Sequence, residues 1–236
     1  MPLEDVSVVL VHGAWADGSS WSKVIGPLRS EGVRVVAAPL PLTSLADDVA
    51  ALERTLERIE GPVVLVGHAY AGAVIGATRD EKVRSLVYVA ALAPDEGETV
   101  ADVFYRAKLH PQAPLLAPDK HGVIWLPDNA FAEAFAQHAS TEEQTMLAAV
   151  QRPIAAACIG VAMGRPLWKD RPSWFLVAEQ DRMIMSDTQR FMAERMKAKV
   201  QSHPVDHTPI VTAPGVIVDI IRDAMRAATA TRTPSQ

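Results

Sequence analysis

The sequence predicts an α/β domain: a mostly parallel six-stranded sheet flanked by helices, with one helical cap insertion. Short β-branched apolar runs alternate with stretches of helical spacing, the pattern of strand–helix–strand units. Only residues 97–170 break that alternation. With 236 residues, 49% apolar and 22% charged, the chain suits one globular core with a small lid.

In chain order, residues 6–11 (VSVVLV) read as a buried strand ending at His12-Gly13. Residues 18–30 set Trp21, Val24, Ile25 and Leu28 on one helical face, and Gly32 stops the helix. A second strand follows at 33–37. The next helix, 45–59, carries Val49, Leu52, Leu56 and Ile59 at helical spacing and breaks at Gly61-Pro62. Residues 63–66 form a third strand, 67–72 a tight turn, 73–78 a helix and 83–90 a fourth strand. A fifth strand ends at 175–178. Then come a helix at 188–196, a short strand at 200–203 and a last helix at 210–225. Residues 1–96 and 171–228 therefore read as the core and 97–170 as a helical cap, with extra core helices the alternative for that stretch, while 229–236 is a Thr/Ala/Pro/Ser tail expected to fray.

Four segments carry chemistry. Gly67-His68-Ala69-Tyr70-Ala71-Gly72 follows a strand and opens a helix, as a nucleophile elbow of pattern G-x-S-x-G does. Here Ala69 holds the serine position and Ala71 the second glycine. Alone, the segment reads equally well as an ordinary strand-to-helix turn. His12-Gly13-Ala14-Trp15 follows the first strand, where such folds place an oxyanion donor; the two donors would be the Ala14 and Tyr70 N–H groups. His12 itself reads as a structural residue. Asp181 follows the fifth strand and His207 opens the last helix, which completes the chain order nucleophile, acid, histidine. A lone loop carboxylate or capping histidine is unremarkable; the two together in this order are not. Asp95 is the rival acid, and Asp206, a sequence neighbour of His207, is a poorer one.

VLVHGAW, VGHAYAG, AEQDRMI and VDHTPIVTAP resemble small bacterial esterases of the α/β-hydrolase superfamily, related to plant methylesterases, the salicylate-binding esterase and hydroxynitrile lyases. The likeness runs from Val6 to about Ala227 and is weakest over 100–160. It implies the α/β-hydrolase fold and a triad at Ala69, Asp181 and His207, with serine expected at 69. The family's lyases carry Thr where this chain has Gly13, and Lys where it has Thr208, so the resemblance implies ester hydrolysis, on small hydrophobic or aromatic esters. Three explanations of Ala69 stay open. The chain is a Ser-to-Ala variant of such an esterase, a non-hydrolytic lyase or isomerase using His207 as base, or a catalytically dead binding protein.

The remaining candidates are weaker. Trp15, Phe104, Trp125, Met163 and Trp168 are expected on the wall of an apolar substrate pocket, with packing the alternative for each. His68 reads as structural. His110, His121, His138 and His203 lack metal-ligand spacing, so no metal is expected. Cys158, the single cysteine, reads as core and excludes a disulfide. No phosphate loop or dinucleotide fingerprint occurs, so no cofactor is expected. The net charge of -5 without a basic cluster argues against nucleic acid. No apolar run reaches membrane length and no signal peptide is read, so a cytoplasmic protein is expected, with a homodimer left open.

Overall fold

The computed structural model describes residues 5–230. Strand β1 (Ser7–Val11) is buried along its whole length. A 3-10 turn (Gly18–Trp21), capped by the Asp17 side chain, leads into α1 (Ser22–Ser30). Strand β2 (Arg34–Ala38) follows, then α2 (Leu45–Glu57), whose N-cap Ser44 side chain accepts from the Asp47 N–H. Strand β3 (Val63–His68) runs into α3 (Ala71–Ala77), and β4 (Val83–Val89) is next.

The expected insertion holds α4 (Val100–Phe104), β5 (Val123–Ile124), α5 (Asp128–Ala130) continued by a π-turn at Phe131–Phe135, α6 (Thr141–Val150) and β6 (Ile154–Ala155). It is not purely helical. β5 and β6 pair antiparallel, two residues on each side. Pairs this short carry too little periodicity to be read from sequence. The chain then returns through β7 (Ser173–Ala178), α7 (Ser186–Arg195) and β8 (Lys199–His203). The last expected helix is two: α8 (Pro209–Thr212) and α9 (Pro214–Ala230). Pro214 lacks the N–H that would continue α8, so a new helix starts there. Thr229 and Ala230 lie in α9, and the rest of the expected tail is outside the described residues.

The sheet order is β2-β1-β3-β4-β7-β8, and every pairing in it is parallel. α1 packs with α9 and α2 with α3, so helices flank the sheet. This order has a consequence for function. From β1 the chain moves outward to β2, then returns to lay β3 on the other side of β1. Ligands of parallel sheets bind where the order reverses, outside the carboxyl ends of the strands. Here that crevice opens between the end of β1 and the end of β3, beside Gly13 and His68.

Candidate active site

β3 ends in a sharp turn that places Ala69 at φ 51, a left-handed conformation costly for a residue with a Cβ. The turn is held at both ends. The Ala69 N–H donates to the Val89 carbonyl at 3.2 Å, and the Ala69 carbonyl accepts from the Leu92 N–H at 2.9 Å. Close packing then demands glycine one position later than the sequence pattern suggests. A Cβ at Gly72 would lie 2.3 Å from the Leu92 carbonyl oxygen, whereas Ala71 is buried there without difficulty.

The loop after β1 presses against this turn. A Cβ at Gly13 would sit 2.9 Å from the His68 carbonyl oxygen and 3.0 Å from the Ala69 Cβ. The Tyr70 backbone nitrogen lies 3.5 Å from the same position, so the loop that carries Ala14 runs beside the Tyr70 amide. Among the described residues, neither the Ala14 nor the Tyr70 N–H has a hydrogen-bond acceptor, and both residues are buried and line one cavity. Buried N–H groups without partners are rare in folded proteins. Two of them at one cavity make a site able to hold a negatively charged oxygen.

The loops after β7 and β8 are tied together. The Glu179 N–H donates to the His203 carbonyl and the Gln180 N–H to the Val205 carbonyl. This brings Asp181 and His207 into contact, with His207 Nδ1 2.8 Å from Asp181 Oδ2. A carboxylate only accepts, so the proton sits on Nδ1 and Nε2 is left as the basic atom. Asp181 is itself fixed. Its Oδ1 accepts from the Met183 and Ile184 N–H groups at 2.7 and 2.9 Å, and Oδ2 also accepts from Gln189 Nε2 at 2.8 Å. The rival acids are spent elsewhere. Asp95 pairs with Lys169 at 2.5 Å, and Asp206 accepts from the His138 N–H, the Thr208 N–H and the Thr212 hydroxyl.

Two further histidines hold the backbone. His12 Nε2 accepts the Leu40 N–H at 3.0 Å, so its Nδ1–H donates to the Gly13 carbonyl. His68 donates from Nε2 to the His207 carbonyl at 2.7 Å, with the two rings 5.0 Å apart. Burial, followed by the neighbouring His207, drives the His68 pKa down to about 3; burial also lowers that of His12. Both rings therefore stay neutral at ordinary pH.

Ala69, His207, Ala14 and Tyr70 share a cavity walled by apolar side chains, among them Trp15, Leu92, Val100, Phe104, Ile124 and Ile184. Among the described residues, no Asp, Glu, Lys or Arg lines it. Of the residues expected on this wall, Trp15 and Phe104 are present. Trp125, Met163 and Trp168 are not. Ile124 faces the cavity, so its neighbour Trp125 turns the other way and is 50% exposed. Met163 and Trp168 are buried behind the turn, at 3.9 and 3.8 Å from where a Gly76 Cβ would lie on α3. Sequence reading missed Asp48, whose buried carboxyl accepts the Tyr70 phenol at 2.7 Å. A carboxylate next to Asp47 on a helix carries no signal beyond an ordinary first turn.

Comparison with known proteins adds to this geometry. A model described as "Alpha/beta hydrolase family" matches residues 8–220. Carbendazim hydrolyzing esterase from Nocardioides sp. (strain SG-4G) is 32% identical over 114 residues, 42% of this chain and 47% of that protein. The match thus spans about half of that relative's length. Methylesterase 8 of Arabidopsis thaliana is 24% identical over 239 residues, 89% of this chain and 86% of the relative. Among solved structures, a pyrethroid hydrolase from Sphingobium faniae JZ-2 superposes with a TM-score of 0.78 at 21% identity, covering 96% of this chain and 98% of that one. Among the described residues, no helix is long and apolar enough to cross a membrane.

Proposed function

This chain belongs to the alpha/beta hydrolase family, and from that membership we propose that it is built as a serine-type carboxylic ester hydrolase whose covalent step is silenced by alanine at position 69. The observation that carries the reading is the His207–Asp181 pair, 2.8 Å apart, whose ring lines the same cavity as Ala69 and the two unpaired amides. With serine at 69, His207 Nε2 would take the hydroxyl proton as the serine oxygen attacks the ester carbonyl. The Ala14 and Tyr70 N–H groups would hold the resulting oxyanion, each worth roughly 3 kcal/mol at the transition state. His207 would then return the proton to the leaving alcohol, and water would release the acid by the same steps. With Ala69 the attacking atom is missing, while the groups that bind the carbonyl remain. The cavity's uncharged wall suits neutral esters with apolar or aromatic groups. Names of the relatives, an esterase and a methylesterase, agree with that chemistry.

The test compares the chain as it stands with Ala69→Ser on phenyl acetate and methyl benzoate. The serine form should hydrolyse them, with kcat on the order of 10^6 above the alanine form. The alanine form should bind the same esters in calorimetry without turning them over. A folded Ala69→Ser protein that binds these esters and hydrolyses none refutes the esterase reading.

A second reading has its own support. His207 Nε2 takes no hydrogen bond from any described residue and faces the cavity, so the base is free to act on a substrate directly, in a lyase or isomerase step. Proton exchange into a carbonyl compound by the alanine form, unimproved by Ala69→Ser, would favour it. Binding without turnover by both forms would favour a binding protein.

A further inference from the structure

Asp48 sits in the first turn of α2 with its side chain fully buried, and among the described residues no Lys or Arg pairs with it. Burying an unpaired carboxyl is costly, so the groups around it need an account. Three donors converge on it. Oδ1 accepts the Leu42 N–H at 2.7 Å. Oδ2 accepts the Tyr70 phenol at 2.7 Å and lies 3.7 Å from Cys158 Sγ. The three come from three parts of the molecule: the loop before α2, the turn after β3 and the cap.

Each donor is constrained in its own right. Leu42 has φ 59, and its carbonyl accepts the Ala155 N–H of β6 at 2.9 Å. Burial and the Asp48 carboxyl push the Cys158 thiol up to about 12, so it remains a protonated donor. Tyr70 is the informative one. Its backbone N–H is one of the two unpaired amides at the cavity, and its ring runs from that amide to Asp48. A tyrosine whose distal oxygen is anchored cannot rotate its backbone without breaking the anchor. The His68 side of the turn is anchored separately, through the His207 carbonyl.

We infer that Asp48 is a positioning residue: by holding the Tyr70 phenol it fixes the Tyr70 N–H towards the oxyanion site, and through Leu42 and Cys158 it locks that amide to the cap. The inference rests on the ester reading, because the fixed amide has a task only if an oxyanion forms beside it. Asp48 touches no reacting atom. It sets the aim of a donor that does, and an aim lost by a fraction of an ångström weakens charge stabilisation before it weakens ground-state binding.

The experiment uses the full chain with Ala69 and two probes, phenyl methylphosphonate as a tetrahedral anion and phenyl acetate as its neutral counterpart. Calorimetry is run on the parent, Tyr70→Phe, Asp48→Asn and the double variant. Tyr70→Phe removes one oxygen and preserves the ring, so it keeps the test alive if Asp48→Asn folds poorly. Each single variant should weaken the anion roughly tenfold relative to the neutral ester, and the double variant should be no worse than the weaker single. A merely structural Asp48 would lower the melting temperature and leave the anion-to-ester ratio within twofold of the parent, which overturns the inference. A parent that binds the ester but not the anion also overturns it, and with it the oxyanion site. A parent that binds neither sinks the ester reading itself.

Discussion

Gly72→Ala tests the geometry of the turn independently of any activity. The new Cβ would lie 2.3 Å from the Leu92 carbonyl oxygen and 2.9 Å from the Ala91 Cβ, while ordinary contact begins near 3.4 Å. About 1 Å of separation is therefore needed, and both partners are backbone or buried. Moving α3 away from the segment after β4 stretches the hydrogen bond from the Leu92 N–H to the Ala69 carbonyl, now 2.9 Å. Overpacking of this kind costs about 1–3 kcal/mol and a lost buried hydrogen bond about 1 kcal/mol. The sum is about 2–4 kcal/mol, or roughly 5–15 °C in Tm for a chain of this length. Urea unfolding followed by far-UV circular dichroism measures it as a lower midpoint with an unchanged slope. Gly215→Ala is the control: the site is exposed, lies in α9 and has nothing within 4 Å, so it should gain a few tenths to about 1 kcal/mol. A Gly72→Ala protein as stable as its parent would refute the close approach and the turn geometry built on it.

In the Ala69→Ser background, Asp181→Asn should lower kcat on the order of 10^4 by releasing the imidazole into the wrong tautomer. Asp95→Asn, which loses only a partly exposed pair with Lys169, should change kcat less than about twofold; the reverse ranking in an esterase assay would unseat Asp181. Acid should destabilise the fold through its neutral histidines. His68 and His12 have depressed pKa values in the folded state, and an unfolded chain protonates them below about 6.5. The unfolded state then holds the extra protons. Stability is thus full above pH 6.5 and falls through His68 as pH drops towards 3, by up to about 1.4 kcal/mol per unit, with His12 adding in the same direction. Urea midpoints at pH 7, 6 and 5 should decline, with a shallower decline in His68→Asn; equal slopes would argue against a neutral buried His68. Phe104→Ala in the Ala69→Ser background should raise kcat/KM for bulky esters relative to phenyl acetate, since Phe104 walls the cavity. An equal loss on every ester would assign Phe104 to packing.

Much of this was legible because the chemistry of strands and turns is local. The runs before His12, Gly67 and Glu179 are continuous and largely apolar, and they form β1, β3 and β7 as parallel strands buried on both faces do. Asp181 and His207 follow strand ends, and the loops after β7 and β8 bring them together. What stayed hidden depends on facing. Whether Trp125 points inward is decided by a two-residue pairing of β5 with β6, and no sequence period marks it. Met163 and Trp168 are apolar and near the right place in the chain, yet they fill the back of α3 rather than the cavity. The need for glycine at 72 rather than 71 arises from Leu92, twenty residues away in the chain. Asp48 reads as one of two carboxylates opening a helix until Tyr70 and Leu42 are seen around it.

The loop after β1 is tied to the insertion through Trp15. The Trp15 N–H donates to the Arg152 carbonyl at 3.0 Å, and its indole N–H donates to the Ile124 carbonyl at 2.9 Å. Trp15 itself has φ 56, a conformation that its surroundings must hold in place. The insertion is therefore not an exchangeable module laid over a finished floor. A chimera carrying another relative's insertion would have to present carbonyls where Ile124 and Arg152 now present theirs. Otherwise the Ala14 amide would be released, and on the ester reading a graft made in the Ala69→Ser background would lose its rate as well as its choice of ester.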